Sequence, residues 1–538
     1  MTMIAACNGA TSGEDQPPTL EVTSPERGTT ADSFDLTVTG KVTDDNKGVR
    51  VLVNGVEASV AADGTFSAAI HVDSGISVIE THAIDSAQHD VRDVRAVLAG
   101  SLGPTDGSAG GEIAARISAP GFGKVGDVLA GMAQALDWKA LALGMNPVAT
   151  GSGCNGVHRI DIQDLRLGTI GISAPPGDGA LDVAVTIDNV YVKARVQFEA
   201  ICIGGSATGE VRATRANING RLAIGVDNGS LAASLPQSSV SLQGFSLDIN
   251  NVPGAIESLV RDRVRRAAED ALNKAIRDQV PKKVNELLGG LIAKPLSTNI
   301  LSKATSFSIT PAGVGITPDG MVAAVNARVR VEGGEGGVFA QTGTQTGDTW
   351  NASSDVGIAL AGDLVNQLFG GLWASGAIAP TLSLDGSAGV LAALLDDDAR
   401  SVAVELKLPP TVKAANGALE LAIGDLILSV RDQGGAEIQR FALSVKTSLS
   451  ATGSSGAINV TLGTPTIKAQ VLAQSEVVDV PMTDDKLEGL VNGAWGLLGG
   501  QIDNALGGLP IPSVAGMSFG APALGGRNGF LVVDLPIQ

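Results

Sequence analysis

Aromatic residues are scarce, 3% of the 538 residues, with Tyr191 the single tyrosine. Ala, Val, Leu and Ile must therefore supply the cores, which will be smooth and aliphatic; a GC-rich codon bias gives the same composition. Histidine is as rare: His71, His82, His89 and His158. A zinc site wants convergent His and Cys at ligand spacing, and His158 with Cys154 is an isolated pair. There is no G-x-S-x-G elbow, Walker loop or dinucleotide fingerprint, and Gly151-Ser152-Gly153-Cys154 reads as a turn. We expect no enzyme, no catalytic residue, no metal and no cofactor. Asp44-Asp45-Asn46 and Asp396-Asp397-Asp398 read as acidic turns, with weak calcium binding as the alternative, since carboxylates suit hard cations. Neither has EF-hand spacing.

Positive charge is in deficit, 37 Lys and Arg against 56 Asp and Glu, a net charge of −19. Phosphate recognition needs a basic patch, so nucleic acid is excluded as a partner, as is electrostatic adsorption to anionic membranes. No apolar run reaches the roughly 18 residues a membrane helix needs. Cysteines number three. Ile4-Ala5-Ala6-Cys7 resembles a bacterial lipobox, whose cysteine is lipidated after signal cleavage, although only Met1-Thr2-Met3 stand before it. A polar tether, Asn8–Gln16, follows, and Asn8 does not resemble the inner-membrane retention signal. The expectation is a lipoprotein of the bacterial cell envelope, anchored through Cys7 and facing the periplasm or the surface of the outer membrane. Cys154 and Cys202 either pair in an oxidising compartment or stay as two buried thiols.

What is present is strand pattern. Pro17–Ala99 alternates at Phe34, Leu36, Val38 and at Val49, Val51, Val53, with turns at Asn54-Gly55 and Asp63-Gly64. Several short strands in so few residues predict a β-sandwich. "VLVNGVEASVAADGTFSAAIHV" is similar to the immunoglobulin-like modules of bacterial surface proteins. Gly100–Gly111 reads as a linker.

Beyond it one plan occurs twice. Each of two β-rich stretches carries an early and a late amphipathic helix: Gly121–Trp138 and Pro253–Ile292, then Ala361–Ala374 and Thr483–Leu506. The longest repeats apolar residues at i+3/i+4 from Ile256 to Leu291, and Pro281 should kink or break it. Its other face carries Arg261, Arg265, Lys274 and Arg277 among acids, a solvated face or a membrane-docking patch. Strands such as Leu181, Val183, Val185, Ile187 alternate strictly. Phe307–Val331 reads as paired strands around Thr317-Pro318-Asp319-Gly320. Two sheets, each covering a long apolar helix, predict two tubes in tandem. An aliphatic tube is suited to lipid.

"GEIAARISAPGFGKVGDVLAGMAQAL" (111–136) and "SDVGIALAGDLVNQLFGGLW" (354–373) resemble the openings of the two halves of the bactericidal/permeability-increasing protein and lipid-transfer family, of the tubular lipid-binding (TULIP) fold. "LKLPPTV", "LELAIGDLILSV" and the closing "LGGLPIPSVAGMSFGAPALGGRNGFLVVDL" are similar to its later segments. The resemblance runs from Glu112 to the C-terminus. It implies an α+β fold: two tandem barrels, each a curved antiparallel sheet wrapped on a long helix, forming a boomerang about a central sheet, here preceded by the small all-β immunoglobulin-like sandwich. It implies one disulfide in the first barrel, Cys154–Cys202. Mammalian members carry a strongly cationic tip, whereas this chain is acidic overall.

The expected domains are 1–16 (lipobox and tether), 17–99 (sandwich), 100–111 (linker), 112–340 (first lipid-binding barrel with central-sheet strands) and 341–538 (second barrel). The expected function is non-catalytic binding and transfer of phospholipid or another acyl lipid, with a bound phospholipid or fatty acyl lipid. The expected lining is Val125, Leu129, Met132, Val260, Val264 and Leu272 in the first tube, and Leu364, Leu368, Leu372 and Leu490 in the second; plain core is the alternative for each. The other reading is a surface binding or adhesion lipoprotein with closed, structural barrels.

Overall fold

The structure, a computed structural model, describes residues 16–45, 48–107, 109–154, 156–200, 202–249, 254–292, 296–341, 354–384, 395–415, 418–454, 457–476, 478, 481–506, 509–510, 519–527 and 530–538. Cys7 lies outside them.

The N-terminal module is a sandwich of two sheets. One runs Thr19–Ser24, Asp35–Thr43, Thr65–His71, Ser59–Val60; the other runs Thr29–Ala31, Asp90–Ala99, Gly75–Ile84, Arg50–Val53, Val56–Glu57. Strict alternation in Thr65–His71 turns Phe66, Ala68 and Ile70 inward against Val38, Val51, Val53 and Ile79. Asn54 and Gly55 both take positive φ, 46° and 80°, as a two-residue hairpin turn requires.

The sandwich is no free bead. Residues 93–99 are buried on both faces, because the outer one lies on the C-terminal half of the chain. Ile76, Ala96 and Leu98 pack there against Leu408 and Ala422. Arg27 donates to the buried Asp425 at 2.8 Å, and the amides of Gly28 and Ala96 donate to the same carboxylate at 3.1 Å each. Burial pushes the Asp425 carboxyl above the usual range, against the pull of Arg27. The segment 100–111, expected as a linker, also differs. Ser101–Pro104 pairs with Val338–Gln341, and Thr105 is buried, its hydroxyl donating to Gly334 at 2.6 Å. Glycine and proline punctuate this stretch, yet its backbone groups find partners across the chain and so are ordered.

The first barrel is a seven-stranded curled sheet. Its spine is Leu181–Ala200 and Ile203–Asp227, 20 and 25 residues long and paired from Leu181 with Leu222 to Ala200 with Ile203. Gly156–Arg166 lies at one side and Ser230–Gln243 at the other. Strands this long accumulate enough right-handed twist to curl over a helix. That helix is α3 (Gly254–Ile292), which runs along Ser230–Gln243 and packs more lightly on Gly156–Arg166. Pro281 lies inside it without ending it. Before it, the one helix expected over Gly121–Trp138 is two, α1 (Ala119–Gln134) and α2 (Trp138–Gly144). Asp137 separates them by capping α2, its side chain accepting the amide of Ala140 at 2.9 Å.

The central sheet takes strands from distant parts of the chain: Leu296–Ile300, Lys303–Thr317, Gly320–Val331, Ala109–Ser118, Val356–Ala361, Phe530–Leu535 and Ala523–Arg527. On it lies α4 (Gly362–Ala374). Two buried amides fix this helix. Gln367 accepts from Val329 and donates to Thr105 and Gly107; Asn366 donates to Ala340 and accepts from Val412. The second barrel is an eight-stranded sheet built on Ala418–Arg431 and Glu437–Ser454, with the edge strand Thr466–Gln474. α5 (Asp484–Leu506) covers it, burying Leu487 and Val491 against Phe441, Leu443 and Ala469. Each fully buried aliphatic side chain contributes about 1.5–3 kcal/mol. The fold is thus mostly β, with curled sheets and few helices.

Candidate functional site

Inside the first barrel, between α3 and the concave face of its sheet, lies a narrow cavity of about 50 Å³. Its walls are aliphatic throughout. The strands contribute Ile160, Ile162, Val190, Val192, Ala194, Val211, Ala213 and Leu242; α2 and the turn after it contribute Ala142, Met145 and Val148. α3 contributes Val264, Ala267, Ala268, Ala271 and Leu272. The space has a local cause. A stretch of α3 presents alanine where the turns on either side present Val260, Val264 and Ile276, which are buried in the flanking core clusters. Small side chains facing a concave sheet leave room that larger ones would fill.

α3 closes the barrel without a sheet ladder. Side chains tie it to the free edge of Ser230–Gln243 instead. Asn285 accepts from the Ala233 amide at 2.6 Å and donates to its carbonyl at 3.4 Å, and Ser238 bonds Asn273. Outside this edge runs a polar cleft of about 360 Å³, lined by Leu235, Asp270, Asn273, Lys274, Arg277 and Asp278. One helix therefore presents an apolar face inward and charges of both signs at the slit beside it.

α2 forms the cover on the other flank. Lys139 pairs with Asp164 of Gly156–Arg166 at 2.9 Å, and Arg166 stands 3.1 Å from the same carboxylate. The Lys139 hydrogen bond holds the Asp164 carboxyl below the usual carboxylate range. While Ala142 faces the cavity, Met132, Leu136, Leu141 and Leu143 of α1, α2 and their vicinity are exposed. Cys154 and Cys202 form a disulfide that ties the loop before Gly156–Arg166 to the turn between the two long strands.

Of the residues expected to line tubes, Val264 and Leu272 line the cavity. Val260 is fully buried next to it, among Val157, Ile160, Val196 and Phe198. Val125 and Leu129 are half-buried on α1, and Met132 is 45% exposed. α1 seats itself instead by Phe122 and by Gly126, where a Cβ would stand 2.7 Å from the Ile172 carbonyl. Leu364, Leu368 and Leu372 pack between α4 and the central sheet, against Ala327, Val329 and Val331. Leu490 is half-buried on the core of the second barrel. The alanine stripe was missed because a helix lining is sought among large residues. The alternation steps by one residue after Ile187, at Asn189, and resumes at Val190, Val192 and Ala194; reading across that step could have located the opposite wall.

Among the described residues, no three His, Cys, Asp or Glu side chains converge as metal ligands, and no helix is long and apolar enough to cross a membrane.

The family model described as "Glucodextranase, domain B" matches residues 18–100, the sandwich. No curated protein matches the sequence. Among solved structures, lipopolysaccharide binding protein is similar over 80% of this chain and 99% of its own, at 14% identity and a TM-score of 0.45. Latherin is similar over 33% of this chain and 87% of its own, at 16% identity and a TM-score of 0.19.

Proposed function

We propose that this chain binds an acyl lipid, of the phospholipid or fatty acid class, in the first barrel, and carries it between membranes without chemistry. The observation that carries the reading is the wholly aliphatic cavity beneath the alanine stripe of α3. Each methylene moved from water into such a site gains about 0.8 kcal/mol, so ten of them offset the loss of several helix contacts. As it stands the cavity is far below the roughly 300–1,000 Å³ of ordinary ligand sites. An acyl chain enters only as α3 moves off the sheet, and the side-chain latches at Asn285 and Asn273 make that movement cheaper than breaking a ladder. The polar head then stays in the cleft by Lys274 and Arg277, where charges of both signs stand at the slit.

The reading extends to place. A disulfide is suited to an oxidising compartment, and Ile4-Ala5-Ala6-Cys7 supports anchoring through a lipidated cysteine. Together they favour a lipoprotein of a bacterial envelope. The narrowness of the cavity supports a second reading, a surface-binding lipoprotein whose barrels are closed scaffolds.

Organic extraction and mass spectrometry of protein purified without detergent separates the two. Acyl lipid in stoichiometric amount, lost in Ala271→Phe, is the expected result. Bare protein that takes no lipid from phosphatidylcholine liposomes overturns lipid carriage and leaves the scaffold.

A further inference from the structure

The two barrels close their edges with different chemistry. In the first, neutral amides of α3 hold Ser230–Gln243. In the second, two acids of α5 hold the edge strand Thr466–Gln474. Asp484 accepts from the Val471 amide at 2.7 Å and Glu488 from the Ala469 amide at 3.0 Å. A third party joins here. Arg92, on strand Asp90–Ala99 of the sandwich, donates to Asp484 at 3.2 Å, to Glu488 at 2.7 Å and to the Ala469 carbonyl at 3.1 Å. All three side chains are three-quarters or more shielded from water.

We propose that the sandwich is the bolt of the second barrel: Arg92 holds the first turns of α5 on the edge strand and so bars its apolar interior. The carboxylates alone could swing outward with the helix and find water. With Arg92 in place, leaving the edge strands a guanidinium that is docked on a rigid sheet, so α5 cannot lift without separating its two charge-assisted bonds to Arg92 together with those from the Val471 and Ala469 amides. Arginine suits this position because its planar fork reaches both carboxylates and the carbonyl together; lysine, a point donor, cannot. The first barrel has no such bolt among the described residues, since the sandwich packs on the C-terminal half. The barrels are thus unequal, one latched by amides and one bolted by an ion cluster. What the barred interior would hold rests on the lipid reading; the bolt itself does not.

Amide hydrogen exchange on the full chain, without ligand, tests it. In Arg92→Gln, the amides of Ala469, Val471 and residues 484–491 are expected to exchange roughly tenfold faster, as a local opening rather than global unfolding. Strands Gly75–Ile84 and Asp90–Ala99 should keep wild-type protection. Glu80→Gln removes a different contact across the same interface, the Lys468 pair at 3.1 Å, and should leave α5 unchanged. Arg92→Lys should fall between, and carries the test if the glutamine variant does not fold. Wild-type protection of α5 without the guanidinium overturns the bolt. So does faster exchange shared by the sandwich strands, which would make Arg92 a general docking contact. Neither result bears on whether the first barrel holds lipid, so failure of the bolt and failure of lipid binding remain separate.

Discussion

Asn285 and Ala233 face each other as two strands would, the one side-chain amide satisfying both the N–H and the C=O of the one residue. A helix cannot extend a sheet, so a side chain stands in for the missing ladder. Asn285→Ala leaves both backbone groups without their partner at a part-buried edge, a cost of about 1–3 kcal/mol. Stopped-flow uptake of a fluorescent fatty acid should be faster in the variant, at lowered melting temperature. Unchanged uptake with lowered stability would show that α3 does not move along this edge.

Gly424 lies where the sandwich touches the second barrel. A Cβ there would meet the Ala96 Cβ at 2.6 Å and Ile76 Cγ2 at 2.8 Å. Gly424→Val should cost about 1–3 kcal/mol through overpacking. Solution scattering would then show a larger radius of gyration as the sandwich undocks, and circular dichroism would show both parts still folded.

Cys154 and Cys202 close a separation of 48 residues. Chain-entropy reasoning assigns such a closure about 4 kcal/mol. Replacing both by serine should lower the denaturation midpoint of the first barrel, leaving the sandwich transition in place. Two transitions shifted alike would contradict this.

Lys139 and Asp164 predict a pH effect with a fixed sign. Because the folded-state carboxyl is held below the usual range, its stabilisation is fully present above the unfolded-state value. It is lost as pH falls through the folded one. Amide protection factors at α2, which already allow for the intrinsic pH dependence of exchange, should therefore fall on acidification, and Asp164→Asn should remove that dependence while loosening α2 at neutral pH.

The strands were legible because alternation leaves a direct mark: Phe66, Ala68 and Ile70 face inward as their spacing says. The helices were legible by period, and Phe307–Val331 pairs as two strands around its Pro-Asp-Gly turn. What escaped depends on partners far along the chain. Thr105 in a Gly/Pro-rich segment is ordered by Gly334. Leu364 and Leu372 carry a stripe that fits a tube wall or a junction equally well; the central sheet decides for the junction. The cavity arises from the residues that are small, Ala267, Ala268 and Ala271, and a hydrophobic stripe gives no sign of the space beside it.

The central sheet has a bearing on biosynthesis. Ala109–Ser118 lies between Gly320–Val331 and Val356–Ala361, and Val356–Ala361 has Phe530–Leu535 as its other neighbour. A ribosome releases the first of these strands some four hundred residues before the last. Until Phe530–Leu535 emerges, Val356–Ala361 offers an open edge, and pairings this distant in sequence form slowly. Over that interval the nascent chain carries an unfinished sheet, exposed to mispairing. A chaperone that shields extended strands would act there, at the join between the halves.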